Sequence, residues 1–182
     1  MRRSLEDTWR FLESTGRTMP RRPDGRPFVH AAMPNHDDEE LGFYFYKGGL
    51  RDDDQSDLSN LTLPRTFFGR SWFIRASFAN TDLSESRMCW NDFDECDFCG
   101  ADLSICDMRA SFFRGCKFVG AVLRGADLRR SSFEDCDFAG ADLTGAVAED
   151  EDAMGCVQDY LVEEQKAVMA WSEDEGPEPP GG

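Results

Sequence analysis

The sequence predicts a solenoid, a fold built from one short stacked repeat, over about half of the chain. The first observation is a fixed five-residue register in which every fifth residue from Leu58 to Leu143 is apolar. The second is a small residue two places before nearly every one of these positions, as in Ala76, Cys96 and Ala101. Neighbouring repeats bury a shared core, so this region serves as scaffold, which argues against an enzyme. The 18 apolar positions are Leu58, Leu63, Phe68, Phe73, Phe78, Leu83, Met88, Phe93, Phe98, Leu103, Met108, Phe113, Phe118, Leu123, Leu128, Phe133, Phe138 and Leu143.

The length and composition of the chain indicate one cytoplasmic domain. Its 182 residues, rich in Leu, Phe and Met, suffice to bury a core. No stretch approaches the ~20 apolar residues that are needed to cross a bilayer. Glu6 and Asp7 stand where a secretory signal would need apolar residues. We therefore expect a cytoplasmic protein that has no membrane partner.

Seven cysteines occur in the chain, and we expect free thiols. A reducing compartment disfavours disulfides, and a buried thiol packs as a small apolar group. Cys96 and Cys99 form a CxxC pair, but the register directs Cys96 inward and Cys99 outward, so they cannot converge on one ion. We therefore predict no metal site. The small-residue position of the repeat holds Cys96, Cys106, Cys116 and Cys136.

The net charge of −16 is concentrated toward the C-terminal end. Residues 1–55 carry 11 acidic and 9 basic residues, residues 56–145 carry 14 and 10, and residues 146–182 carry 11 and 1. The corresponding net charges are −2, −4 and −10. Most of the acidity therefore lies outside the repeats.

The segment before the repeats begins with a predicted helix at residues 4–15. Ser4 can cap this helix, with Asp7 three residues later completing a box-like signal. Gly16 is suited to its C-terminal end. Residues 17–40 are rich in Arg, Pro, Asp and Glu and indicate an irregular connector. The apolar face of the helix consists of Leu5, Trp9 and Leu12.

Further elements are predicted to cover the two ends of the solenoid. The aromatic run LGFYFY at residues 41–46 is typical of a strand, and we assign it to the N-terminal end. Residues 150–171 suit a helix with an apolar stripe, which either covers the C-terminal end or pairs with a second chain. Residues 172–182 contain no core-forming residue and are expected to be disordered.

The small–polar–Leu/Phe–x–x unit, seen as ADLSI at 101–105 and ADLTG at 141–145, resembles the pentapeptide-repeat family. The resemblance covers about half of the chain without interruption. It implies an all-β solenoid, a right-handed quadrilateral β-helix with four pentapeptides in each coil and about 4.5 coils. The expected organisation is an N-terminal extension at 1–55, the β-helix at 56–147, a C-terminal capping or dimerisation helix at 148–171 and a disordered acidic tail at 172–182.

Residues twenty apart stack in the implied coil, and the columns that result are chemically uniform. Neighbouring coils lie about 4.8 Å apart, so identical side chains can pack in continuous ladders along an axis of roughly 22 Å. Two columns consist largely of Phe: Phe73, Phe93, Phe113 and Phe133 form one, and Phe78, Phe98, Phe118 and Phe138 form the other.

The four sides of the coil differ in charge, and the Arg-rich side is the leading candidate for a partner surface. Trp90 and Phe112 occupy outward positions on this side or its neighbour, and Arg beside Trp is typical of interface anchors. Phe67, Trp72 and Ile74 also face outward, but we expect residues 1–50 to cover them. The alternative, an ordinary solvated surface of paired charges, stays open. The candidate partner surface is Arg87, Trp90, Arg109, Phe112 and Arg129.

An acidic surface gives the alternative function. The best-understood members of the family bind DNA gyrase and are thought to imitate duplex DNA, so the resemblance implies a possible DNA-mimic regulator of gyrase or another topoisomerase. About 22 Å of B-DNA carries about 13 phosphate charges, against a net charge of −4 for residues 56–145. The candidate acidic surface is Asp82, Asp102, Asp142, Asp92, Asp94 and Glu95.

Catalysis finds little support in the sequence. His30 and His36 are the two histidines, and the acidic residues 37–40 that follow His36 indicate a solvated connector. No nucleophile elbow, phosphate loop or zinc-finger spacing occurs. We predict a non-enzymatic binding or scaffold module without a cofactor, whose partner is another protein. The negative field of the whole chain disfavours direct nucleic-acid binding. A monomer, or a dimer through the C-terminal helix, is expected.

Overall fold

The computed structural model describes residues 1–34, 56–68, 71–149 and 156–172. Its centre is a β-solenoid of about 5 turns, all parallel, which confirms the predicted fold class. Each five-residue unit forms one side of a four-sided coil. The flanking segments of the chain lie at the two ends of this coil.

The five-residue register produces the coil through a repeated set of backbone hydrogen bonds. Phe78 N donates to Asp97 O of the next coil at 2.7 Å, and Asp97 N donates back to Ala76 O at 3.0 Å. The chain then turns a corner, where Thr81 N donates to Phe78 O at 3.0 Å. The corner residue Asn80 has a φ of 56°, in the left-handed region. The same bonds recur along the coil, so one register dictates both the sides and the corners.

One side of the coil forms a regular parallel sheet of four strands. These are β1 (Trp72–Ile74), β2 (Asp92–Asp94), β3 (Phe112–Arg114) and β4 (Ser132–Glu134), in the order β1-β2-β3-β4. Each strand is displaced by twenty residues from its neighbour, as the implied coil predicts. The other three sides are held by single parallel bridges such as Asp82↔Asp102.

The two predicted Phe columns form continuous stacks inside the coil. Successive rings of the first column lie 4.9–5.0 Å apart with interplanar angles of 4–7°. The second column stacks at 4.6–5.0 Å. Rings of the two columns meet edge to face, as between Phe113 and Phe118 at 5.6 Å. Offset and edge-to-face ring pairs add stabilisation beyond the buried area, so the ladder fixes the coil spacing from within.

Polar residues at the small position satisfy the buried backbone. Asn91 Nδ2 donates to Phe68 O and Met88 O, each at 2.7 Å, and Asn91 Oδ1 accepts from Ser71 N at 2.8 Å. Thiols replace hydroxyls in other coils, and Cys106 Sγ lies 2.9 Å from Leu83 O. Burial raises the pKa of the Cys106 thiol, which keeps it protonated as a donor. The predicted inward placement holds for the buried thiols Cys96, Cys106, Cys116 and Cys136.

The N-terminal end of the coil is covered by helix α1 (Leu5–Ser14). Ser4 caps the helix as predicted, because its side chain accepts from Asp7 N at 3.1 Å. The buried Thr8 then contacts the first coil, where its Oγ1 accepts from Thr62 N at 3.0 Å. In later coils the N–H at the same position of the repeat donates to a carbonyl of the preceding coil. The first coil has no preceding coil, and the Thr8 hydroxyl takes the place of that carbonyl. The aromatic run at residues 41–46, which we expected here, lies outside the described residues.

The C-terminal end corrects the expectation of one continuous helix at residues 150–171. The described part consists of a 3₁₀ turn (Val157–Tyr160), the one-turn helix α2 (Glu163–Lys166) and strand β6 (Ala170–Ser172). Strand β6 pairs in parallel with β5 (Val147–Glu149), which continues the solenoid.

The repeat pattern therefore extends beyond the point at which its apolar residues become small. Ala148 is buried at the next position of its column, although its side chain is short. A strand forms here instead of a longer helix, because β6 satisfies backbone hydrogen-bonding groups that the last coil would otherwise leave unpaired. Gln165 Nε2 adds bonds to Phe138 O at 2.8 Å and Ala141 O at 3.1 Å. The described part of this segment therefore lies over the last coil.

Removing one ring of the Phe ladder should destabilise the fold strongly. We expect Phe113→Ala to lower the free energy of unfolding by about 3–5 kcal/mol, because a fully buried ring is removed between two stacked neighbours. Phe112→Ala, one residue away and partly exposed, should cost about 1 kcal/mol. Urea denaturation measures both values, and equal losses would contradict the ladder as the main source of stability.

Removing the Thr8 hydroxyl should loosen the N-terminal cap. We expect Thr8→Val to cost about 1–2 kcal/mol, because the partly buried Thr62 N–H loses its acceptor. Thr8→Ser keeps the hydroxyl and serves as the matched control. Hydrogen exchange of the Thr62 amide should accelerate in the Val variant and stay slow in the Ser variant. Unchanged protection in both variants would show that the contact does not hold the cap.

Candidate functional site

The Arg-rich side predicted from the sequence is a ladder of ion pairs. Arg109 makes a two-pronged contact to Asp107, at 2.8 and 2.9 Å, and lies 3.5 Å from Asp127. Arg129 holds Asp127 in the same way, at 2.9 and 2.7 Å. Arg87 lies 3.8 Å from Asp107. The guanidinium groups are therefore matched by carboxylates, and this side offers little free positive charge.

The pKa of Asp107 shows how tightly this ladder is coupled. Burial alone would raise the pKa of Asp107, but the hydrogen bonds and the charge of Arg109 outweigh it and hold this pKa below its usual value. Arg130 lies 3.8 Å from Glu149, which extends the pairing to β5. Arg87, Arg109 and Arg129 thus lie on one side of the coil, as predicted. Neighbouring Arg residues share the carboxylates of Asp107 and Asp127 as counterions.

Exposed aromatic side chains distinguish the neighbouring side, built by β1–β4. Trp90 is 60% exposed and Trp72 is 46% exposed, while Phe112 is partly buried. We call these three residues the aromatic patch. Of the three residues that we expected residues 1–50 to cover, Phe67 is buried at 4% exposure, Ile74 is partly buried and Trp72 is exposed. The expectation is therefore wrong for Trp72, and the described residues do not test it for the other two.

The register of the sheet places the aromatic patch around one carboxylate. Trp72 pairs in register with Asp92, and Asp92 pairs in register with Phe112. The three side chains therefore lie side by side, with the carboxylate in the middle. Trp90 precedes Asp92 by two residues, at a corner where its φ is 63°. We expected Trp72 to be covered and Asp92 to belong to an acidic surface, but their spacing of twenty residues places them side by side.

Asp92 differs from the other acidic residues of this sheet in having no counterion. Within the described ranges, its exposed carboxylate forms neither a hydrogen bond nor an ion pair. Asp94, by contrast, lies 3.8 Å from Arg114, which also binds Glu134 at 3.0 Å. The guanidinium of Arg114 lies 5.1 Å from the centre of the Phe112 ring. A cation therefore already rests against one member of the aromatic patch.

The second predicted acidic column is bound by its own neighbours. The Asp82 carboxylate accepts from the N–H and the hydroxyl of Ser84, and the same pattern recurs at Asp102 and Asp142. Hydrogen bonds from Thr144 and Arg124 lower the pKa of Asp142 to about 2. Arg2 lies 4.0 Å from Asp82. The positions of these charges are fixed, but Val122 interrupts the column between Asp102 and Asp142, and Arg2 and Arg124 partly neutralise it.

The described residues offer no constellation for metal chemistry. No group of three or more His, Cys, Asp or Glu side chains in those ranges is placed to hold an ion. Cys96 lies inside the coil and Cys99 is partly exposed, as the register predicts. His30 lies edge to face with Phe28 at 5.2 Å, and its backbone oxygen accepts from Arg65. His36 lies outside the described residues.

Membrane insertion through a helix finds no structural candidate either. Every helix in the described ranges is too short or too polar to cross a bilayer. The surface features of the β-helix, and above all the aromatic patch, are therefore what remains to be explained.

Comparison with known proteins relates the repeat to an established family. The family described as pentapeptide repeats matches eight copies, over residues 88–119 and 106–145. No curated protein matches the sequence.

Among solved structures, the chain is similar to HetL, a pentapeptide repeat protein involved in heterocyst differentiation regulation in the cyanobacterium Nostoc. The two are 19% identical over 52% of this chain and 45% of HetL, with a TM-score of 0.50. It is also similar to Rfr23 of the cyanobacterium Cyanothece, at 23% identity over 48% of this chain and 59% of Rfr23, with a TM-score of 0.47.

A third similar structure is QnrB1, a plasmid-mediated fluoroquinolone resistance protein in a trypsin-treated variant form. It is 18% identical over 65% of each chain, with a TM-score of 0.33. The chain spans about half the length of HetL and of Rfr23, and the likeness to HetL shows the fold alone. Since each side of the coil is one five-residue unit, and the family model matches these units, residues 88–145 of this chain are pentapeptide repeats.

Proposed function

We propose that this chain is a protein-binding module that acts through the side of the β-helix formed by β1–β4. The observation that carries the proposal is the exposure of Trp72 and Trp90, at 46% and 60% of their surface, around the same strand. Large aromatic side chains on a surface usually mark a contact site, and Trp is among the residues most enriched in interface hot spots. Catalysis is not part of this proposal, because binding alone accounts for the exposed groups.

The backbone beneath the aromatic patch supports this role. Strands β1–β4 are paired in register, and the inward residues Phe73, Phe93 and Phe113 are fully buried in the ladder. A partner that covers the patch therefore meets a surface whose backbone is already ordered. Little conformational entropy is lost on binding such a surface, which leaves more of the contact energy for affinity.

The residues proposed to bind differ from the set predicted by sequence alone. Trp90 and Phe112 remain, and Trp72 joins them. Arg87, Arg109 and Arg129 become supporting residues, since their guanidinium groups are engaged by Asp107 and Asp127.

Truncating the two Trp side chains tests the proposal. With the full chain as bait in extracts of its native host, Trp72→Ala with Trp90→Ala should reduce the enrichment of bound proteins about thirtyfold, the usual effect of removing an aromatic hot spot. Ile105→Ala with Val119→Ala removes two exposed apolar residues elsewhere and serves as the control. Quantitative mass spectrometry gives the ratios. A wild-type bait that enriches no protein over the Trp variant would overturn the proposal.

A DNA-mimic regulator of gyrase or another topoisomerase is the second candidate. It is favoured by the column of Asp82, Asp102 and Asp142, which places two carboxylates on neighbouring coils and a third beyond Val122. The magnitude of the charge supports it less. Residues 56–145 have a net charge of −4, whereas about 22 Å of B-DNA carries about 13 phosphate charges. Arg2 pairs with Asp82 and Arg124 pairs with Asp142, which further reduces the negative charge of this column.

A supercoiling assay separates the two candidates. If the chain mimics DNA, purified protein in molar excess should inhibit supercoiling by gyrase, and the Trp72→Ala/Trp90→Ala variant should inhibit equally, because its charge is unchanged. The protein-binding proposal expects no inhibition. Supercoiling that is unaffected at high excess would rule out the gyrase form of the DNA-mimic candidate.

A further inference from the structure

We infer that Asp92 is the recognition point for a cationic side chain, Arg or Lys, of the protein partner, held between Trp72 and Phe112. The inference rests on the proposed function and specifies the chemistry that the partner presents. It depends on three observations: the register of the sheet, the unpaired state of the carboxylate and the charge of the surrounding surface.

The geometry makes it impossible to cover the aromatic patch without also covering Asp92. Trp72, Asp92 and Phe112 are in-register partners on adjacent strands, and adjacent strands lie about 4.8 Å apart. A group that packs on both aromatic side chains therefore lies directly over the carboxylate between them. Trp90 is also exposed and lies at the corner of the coil, two residues before Asp92.

The electrostatics then determine what the partner has to supply. Burying an ionised carboxylate without a counterion is costly, since it loses its hydration and gains nothing in return. No described residue of this chain pairs with Asp92. Strands β1–β4 and their following corners carry five acidic residues against two basic ones, so the surrounding field also favours a cation. The five are Asp92, Asp94, Glu95, Glu134 and Asp135, and the two are Arg75 and Arg114.

The aromatic neighbours favour the same kind of ligand. The faces of Trp and Phe rings attract cations, and the methylene groups of Arg and Lys pack well on them. Arg114 already illustrates this contact, with its guanidinium 5.1 Å from the Phe112 ring centre. A carboxylate flanked by two aromatic side chains thus combines an ion pair with cation–π contact, and it accepts a basic residue in preference to an acidic or apolar one.

Selection from a phage-displayed library of random linear peptides tests this inference. Peptides selected on the wild-type chain should be enriched in Arg and Lys, and their affinity should fall about tenfold on Asp92→Asn, the usual scale for the loss of one partner of a close charge pair. Glu164→Gln removes the same charge at an exposed site in α2 and serves as the control. Asp92→Asn should leave the thermal unfolding temperature unchanged, because the carboxylate has no partner within the described chain.

A double-mutant cycle with one selected peptide, measured by isothermal titration, links the two groups. Replacing the peptide's basic residue by Gln should cost about tenfold on the wild-type chain and nothing further on Asp92→Asn. Peptides that require Trp72 and Trp90 but show no basic enrichment, or that ignore Asp92→Asn, would overturn the inference and leave the binding proposal standing. If no selected peptide requires the two Trp residues, both are overturned.

Discussion

The stacking of residues twenty apart sets the position of every other group on the β-helix. Phe93 lies on Phe73 and Phe113 lies on Phe93, at 4.9–5.0 Å, and the backbone bonds between coils repeat the same displacement. Because the interior admits only this spacing, the outward residues are stacked with the same period. The surface chemistry follows from the core: a residue finds its neighbours twenty positions away, whatever lies between them in sequence.

This constraint explains why the fold could be predicted and the site only in part. The apolar register, the Phe columns and the inward thiols repeat many times, and each repetition supports the others. The Ser4 cap and the helix at α1 carry local signals that also held. The C-terminal segment was predicted as a helix from its apolar stripe. Periodicity within the segment could not reveal that the open edge of β5 offers β6 a better set of backbone hydrogen bonds.

The candidate site was harder to predict because charge pairing depends on side-chain direction. Arg87, Arg109 and Arg129 lie on one side of the coil, but Asp107 and Asp127 lie between them and engage them. The presence of several Arg residues on this side therefore overstated the positive charge that a partner would meet. Trp72 was expected to be covered because it lies in the first coil, and exposure of one side chain cannot be read from its repeat position. Within the described residues, the lack of a counterion for Asp92 likewise depends on side-chain directions that the repeat pattern does not contain.

The Thr8 to Thr62 contact has a consequence for how the chain is made. It joins residues 54 positions apart, whereas each later coil binds a strand only about twenty positions earlier. During synthesis the N-terminal helix leaves the ribosome first, and it can dock only after the first coil has followed. From then on each new coil can form backbone hydrogen bonds to the preceding, already folded coil as it emerges. The β-helix then grows from its N-terminal to its C-terminal end. Helix α1 covers its first coil and strand β6 pairs with its last one.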